Sequence, residues 1–186
     1  MKRLCTIAII TWLSGLVSCT QSDSLYYHIP ARLVVENVSE AHALKTACNS
    51  MGEFCSVTMD AKLIYIQGSK ENSVLVRTAI GSNYDNTILG LGGLIIGLPS
   101  LPEIGKDVSQ VVCFDLNCPN CYEQYGGICK RMELSGTTSR CRGCNRTYDL
   151  NSMGIVSSGE GGRALFRYKV SYVVSYMGTA LVVDNR

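Results

Sequence analysis

Two pairs of cysteines, Cys118-Pro-Asn-Cys121 and Cys141-Arg-Gly-Cys144, lie in one stretch with 19 residues between them and no histidine. Within each pair the thiols are three positions apart, so a tight turn can bring both sulfurs to one side. Two such turns complete a tetrahedron about one ion. Gly143 suits a turn that must point backbone amides at sulfur. Four thiolates suit zinc, and equally a single iron or an iron–sulfur cluster. Two disulfides would use the same sulfurs with no metal at all, and spacing alone leaves these choices open.

The compartment bears on that choice. The chain opens "MKRLCTIAIITWLSGLVSC", with a basic head at Lys2 and Arg3, an apolar stretch from Leu4 to Leu13, and small residues leading into Cys19. The apolar stretch is too short for a permanent span. The segment resembles a bacterial lipoprotein signal, which implies a leader over residues 1–18, a lipid-modified Cys19 and a polar tether over 19–30. Acyl chains on Cys19 would anchor the protein to a membrane of the bacterial cell envelope without a transmembrane helix. The glycine-broken run "ILGLGGLIIGL" (88–98) is also too short to span and reads as a buried strand pair with a turn.

Of the ten cysteines, Cys5 leaves with the leader and Cys19 carries lipid, which leaves an even set of eight. Disulfides persist outside the cytoplasm. Cys48 and Cys55 bracket the turn-like "NSMGEF" and are candidates to pair locally. Cys113 and Cys129 are then left for each other.

The elements that must position the knuckles are short strands. "ARLVVENV", "KLIYIQG", "SVLVRTAI", "VSQVVCFDL", "GIVSSG" and "TALVVDN" are rich in β-branched residues and separated by polar or glycine turns. In "LFRYKVSY", Phe166, Tyr168, Val170 and Tyr172 share one face, a clear period of two. "SEAHALKTAC" predicts a turn or two of helix with Ser39 as a possible cap. An all-β domain follows.

Composition removes several function classes. Hydrophobic residues make up 46% of the chain, enough for a real core. Without Lys2 and Arg3 the chain has fifteen basic and fifteen acidic residues, so it lacks a broad nucleic-acid footprint. Lys130, Arg131, Arg140, Arg142 and Arg146 are interleaved with Asp115, Glu123, Glu133 and Asp149, which reads as a solvated face rather than a basic patch. There is no nucleophile elbow, no phosphate loop and no Ser-His-Asp set, and His28 and His42 lie far from the cysteines, so no enzymatic site is expected. "LGLGGLIIG" contains no G-x-G-x-x-G opening a helix, which removes a dinucleotide site. A thioredoxin-like role for Cys118-Pro-Asn-Cys121 is disfavoured because such motifs start a helix, whereas this one follows β structure.

Over roughly residues 88–185 the chain resembles Rieske iron–sulfur proteins, and in particular the Rieske-like lipoproteins of Bacteroides-type bacteria. The resemblance is carried by "VVCFDLNCPNCYEQYGG", "SRCRGCNRTYDLNSMGIVSSG" and "LFRYKVSY". Cys118 and Cys141 match the two Rieske cysteines, Tyr148-Asp149 the aromatic-Asp step, Gly154 and Gly159 the turns, and Leu165 with Tyr168 the closing strand. The histidine positions hold Asn120 and Cys144, and "SSGEGG" replaces the proline-rich third loop. Rieske centres owe their raised potential to two imidazoles on one iron, so the ordinary cluster is not expected here.

Together these readings predict an all-β, Rieske-like antiparallel sandwich or barrel over 31–186, with a two-knuckle lobe at about 113–150. The metal ligands are Cys118, Cys121, Cys141 and Cys144. Zinc in a structural role is preferred; iron or a 2Fe–2S cluster for electron transfer, or a metal-free disulfide module, are the alternatives. The expected partner is the membrane through the Cys19 anchor; no protein partner is legible.

Overall fold

The computed structural model describes residues 27–61, 63–76, 86–127, 131–176 and 178–185. The leader, the lipidation candidate Cys19, the start of the tether and Cys129 lie outside the described residues.

Among the described residues, fourteen strands form three antiparallel sheets. The first sheet joins β13 (Val170–Ser175), β14 (Gly178–Asn185), β1 (Ala31–Val35) and β5 (Ile88–Leu89), in that order. The second has six strands: β12 (Arg167–Tyr168), β7 (Val112–Asp115), β6 (Leu94–Leu98), β2 (Glu53–Met59), β3 (Leu63–Gln67) and β4 (Asn72–Val76). The third is a meander of β11 (Ile155–Ser158), β10 (Thr147–Asp149), β9 (Thr138–Arg140) and β8 (Glu133–Ser135). The expected all-β class is correct, and the form is a sandwich; among the described residues no sheet closes into a barrel.

Alternation on the central strands builds two cores from one sheet. Cys55 and Val57 of β2, Leu94 and Ile96 of β6, and Cys113 of β7 face the first sheet, where they meet Leu33, Val35, Leu181 and Val183. The residues between them, Phe54, Ile95, Val112 and Phe114, face the opposite way and meet Tyr148, Leu150 and the cysteines of the lobe. Successive side chains on a strand point to opposite faces, so a strand covered on both sides is apolar throughout. β7 is buried at all four positions.

One short helix, α1 (His42–Asn49), closes the first core with Ala43, Leu44, Ala47 and Cys48. A 3-10 turn (Val38–Glu40) precedes it. Ser39 is not the cap of α1. Asn37 caps the 3-10 turn, and the backbone N–H of Ala43 finds the Ser73 hydroxyl at 3.1 Å. An orphan donor at a helix start needs some acceptor, and here it comes from another strand. The 88–98 run does form two strands and a turn, but β5 pairs with β1 while β6 joins β2 and β7. "LFRYKVSYVV" likewise splits at Lys169, passing from the second sheet as β12 to the first as β13.

Gly97 shows how closely the second core is packed. A Cβ there would stand 2.3 Å from the Phe54 ring and 2.4 Å from the Glu53 carbonyl. The neighbour at the second contact is backbone, so the sheet itself would have to move. Gly97→Ala is expected to cost about 2–3 kcal/mol through overpacking, read as a fall in the urea midpoint with an unchanged m-value.

Candidate metal centre

The first knuckle begins where β7 ends. Asp115 is fully buried and all its acceptor positions are used: the backbone N–H groups of Leu91 (2.7 Å), Gly92 (3.1 Å) and Asn117 (2.6 Å) and the Tyr168 hydroxyl (2.6 Å) donate to it. Burial pushes its carboxyl above the ordinary value, and these hydrogen bonds work against that push. The bond from the Asn117 N–H fixes the backbone immediately before Cys118.

Cys118 stands immediately before α2 (Pro119–Tyr125), with Pro119 in the first turn. Proline suits that position because its missing N–H would have no partner there. The first knuckle therefore starts a helix, contrary to the sequence reading. Its context still differs from a redox βαβ unit, since β7 and the following β8 lie in separate antiparallel sheets. The second knuckle is the turn between β9 and β10. The Cys141 N–H donates to the Arg146 carbonyl at 2.9 Å, and Asn145 takes a left-handed backbone with φ of 58°.

These two turns bring the four sulfurs together. One Sγ from each of Cys118, Cys121, Cys141 and Cys144 lies within 4.8 Å of all the others. Across the knuckles, Cys118 faces Cys144 and Cys121 faces Cys141, each pair at 3.6 Å. A zinc–sulfur bond of about 2.3 Å gives a tetrahedral edge of about 3.8 Å, so the set fits one ion. A Cβ on Gly143 would sit 3.3 Å from Cys121 Sγ and 3.6 Å from Cys141 Sγ. The second knuckle thus packs its backbone against the sulfurs, as its glycine implied.

The set is graded in exposure. Cys118, Cys121 and Cys141 are buried, and Cys144 is partly exposed. Burial raises the thiols of Cys118 and Cys121. Burial also opposes ionisation of Cys144, but Arg146 and the neighbouring thiols outweigh it and bring this thiol down to about 7. Arg146 thus favours the ionised form of Cys144, the form in which a thiol binds a metal.

Outer partners brace the sulfurs. The Tyr148 hydroxyl lies 3.0 Å from Cys118 Sγ and accepts a hydrogen bond from the Asn120 amide at 2.9 Å. Asn120 also clamps the backbone of Arg163, donating to its carbonyl and accepting from its N–H, both at 2.9 Å. Arg146 donates to the carbonyls of Glu160 and Gly161 and to the Glu160 carboxylate. A strap over 160–163 is thus tied to both knuckles. Tyr148→Phe is expected to weaken metal binding roughly 10–100-fold while costing the fold only about 1–2 kcal/mol. Competition with a chromophoric zinc chelator and urea unfolding would separate the two effects.

Several expectations need correction. Asp115 and Arg146 do not belong to a solvated face: Asp115 has no exposure and Arg146 has 8%. The seven described cysteines are all free. Cys48 and Cys55 do not pair across their turn. Both side chains are drawn into the first core, where burial pushes the Cys48 thiol to about 12 and that of Cys55 well above its ordinary value. Cys113 is also a free thiol in that core. Ile96 of β6 lies between Cys55 and Cys113 in the register, so these two are two strand spacings apart, roughly 9–10 Å and beyond disulfide reach. Sequence reasoning missed Asp115 and Arg146 as parts of the site's frame. A lone acid closing an apolar strand opposite a glycine turn was the available signal.

Comparison with family models, with curated proteins and with solved structures finds no match for this chain. No helix among the described residues is long and apolar enough to cross a membrane.

Proposed function

We propose that this chain is a cell-envelope lipoprotein whose Rieske-like all-β domain binds one metal ion, zinc by preference, through Cys118, Cys121, Cys141 and Cys144. The metal's role is structural. The observation that carries this is the mutual spacing of four sulfurs within 4.8 Å, drawn from two turns far apart in sequence. Zinc is favoured because three of the four ligands are buried and no open coordination position or imidazole is needed. The lipid anchor rests on the Lys2–Cys19 segment alone. The Rieske likeness rests on the residues from Cys118 to Tyr168 that match that pattern.

A second reading keeps the site and changes the metal. A single iron on the same thiolates would make an electron carrier, and two features favour it: the hydroxyl at Cys118 Sγ and the partial exposure of Cys144. Hydrogen bonds to sulfur and solvent exposure both tune such potentials.

Protein purified from its native envelope decides between them by elemental analysis and a visible spectrum. One zinc in colourless protein is the expected result, and iron with charge-transfer bands would move the assignment to the carrier. Mass spectrometry showing these four thiols as disulfides would end both metal readings. For the anchor, Cys19→Ala is expected to release the protein from membranes, and retention there would count against lipidation.

A further inference from the structure

The connection between β6 and β7 carries three apolar side chains into solvent. Leu101 is 65% exposed, Val108 66%, and Ile104 between them is fully exposed. Leu101 and Val108 line one shallow hollow with Arg167 of β12. Of the two acids in this loop, Glu103 is turned inward, meeting the Arg167 guanidinium in a two-point ion pair at 2.9 and 3.2 Å, while Asp107 is exposed between Lys106 and Val108. The apolar segment from Leu101 to Ile104 therefore presents no free carboxylate of its own.

Arg167 also holds the leading end of the described chain. Its carbonyl accepts from the Tyr27 N–H at 3.0 Å, and the Tyr27 ring stacks on neighbouring Phe166 at 3.7 Å. The Asn185 amide donates to the carbonyls of Tyr27 and Ile29. One residue thus fixes both the loop and the point from which the N-terminal segment leaves. Cys19 lies eight positions before Tyr27. At no more than about 3.6 Å per residue, that segment reaches on the order of 30 Å at full extension.

We infer that the loop over 99–111 is a membrane-contacting surface, its Leu101, Ile104 and Val108 entering the headgroup–acyl boundary of the bilayer to which the chain is anchored. The inference rests on the lipid anchor proposed above. Three apolar side chains alone give weak, reversible partition. A short tether makes their contact with the bilayer effectively intramolecular.

Trp12, in the leader, is the only tryptophan of the sequence, so an introduced one reports alone in the mature protein. The acylated full chain would be purified from membranes as Ile104→Trp and as Val74→Trp. Val74 is also exposed, but it lies on β4, at the opposite edge of the six-stranded sheet from β12. Both would be reconstituted into phosphatidylcholine–phosphatidylglycerol vesicles with and without brominated acyl chains. In the Ile104→Trp protein, emission is expected to shift to the blue and to be quenched by bromine, as for a ring roughly 5–10 Å into the boundary. The Val74→Trp emission is expected to stay that of a water-exposed indole. Unquenched, water-like emission from Ile104→Trp in acylated protein would overturn the loop's role and leave the anchor standing. A blue shift indifferent to bromine and growing with protein concentration would assign the loop to a second copy and overturn it as well. Mass spectrometry showing no acyl chain on Cys19 would remove the anchor, and this inference with it.

Discussion

Cys121→Ser is expected to abolish metal retention and to unfold the lobe around the site while the larger sandwich survives. Cys121 is buried beside Cys141 at 3.6 Å and projects from the first turn of α2. A serine hydroxyl does not ionise in this range and leaves three sulfurs without the fourth. Structural zinc sites contribute about 10–16 kcal/mol of binding free energy to small folding units, far more than the short strands β8 to β11 can supply alone. The measurement is twofold: zinc retained after dialysis against a chelator, and hydrogen exchange strand by strand. Protection is expected to fall to near zero in β8–β10 and to persist in β1 and β14, whose core is separate. A variant that keeps one tightly bound metal would refute the ligand assignment. A metal-free variant with full protection in the lobe would refute the structural role.

The second large effect is expected at Asp115. Asp115→Ala removes the acceptor for three backbone N–H groups and the Tyr168 hydroxyl at once. Each buried donor left without a partner costs about 1–3 kcal/mol. Rearrangement and water entry recover part of this, so a net loss of about 4 kcal/mol is expected, at the upper end for a single substitution. Chemical unfolding with an intact metal site would measure it. Unlike Cys121→Ser, the change is expected to destabilise the sandwich as well, because Tyr168 belongs to the first core. A loss below about 1 kcal/mol would mean that the donors find other acceptors.

The knuckles were legible because their chemistry is local: two thiols three positions apart declare a turn wherever it lies. The strands were legible for the same reason, since alternation in "LFRYKVSY" is a property of consecutive residues. What was not legible depended on partners distant in sequence. Asp115 looks like any surface acid until Leu91 and Tyr168, 24 and 53 positions away, are brought to it. Arg146 looks solvated until the strap at Glu160 folds across it. Cys48 and Cys55 look like a local disulfide until their side chains turn into an apolar core as free thiols. The break at Lys169, where one alternating run serves two sheets, has no signature in the run itself.

The six-stranded sheet, finally, is a party wall. Ile95 and Phe114 belong to the lobe's side and Ile96 and Cys113 to the sandwich's side, although Ile95 is followed directly by Ile96 and Cys113 by Phe114. Adjacent positions on one strand therefore answer to different halves of the molecule. The wall cannot shift towards one tenant without disturbing the other. Any change in the thickness of the sulfur-bearing side must be absorbed within the lobe or transmitted, strand by strand, to the opposite core.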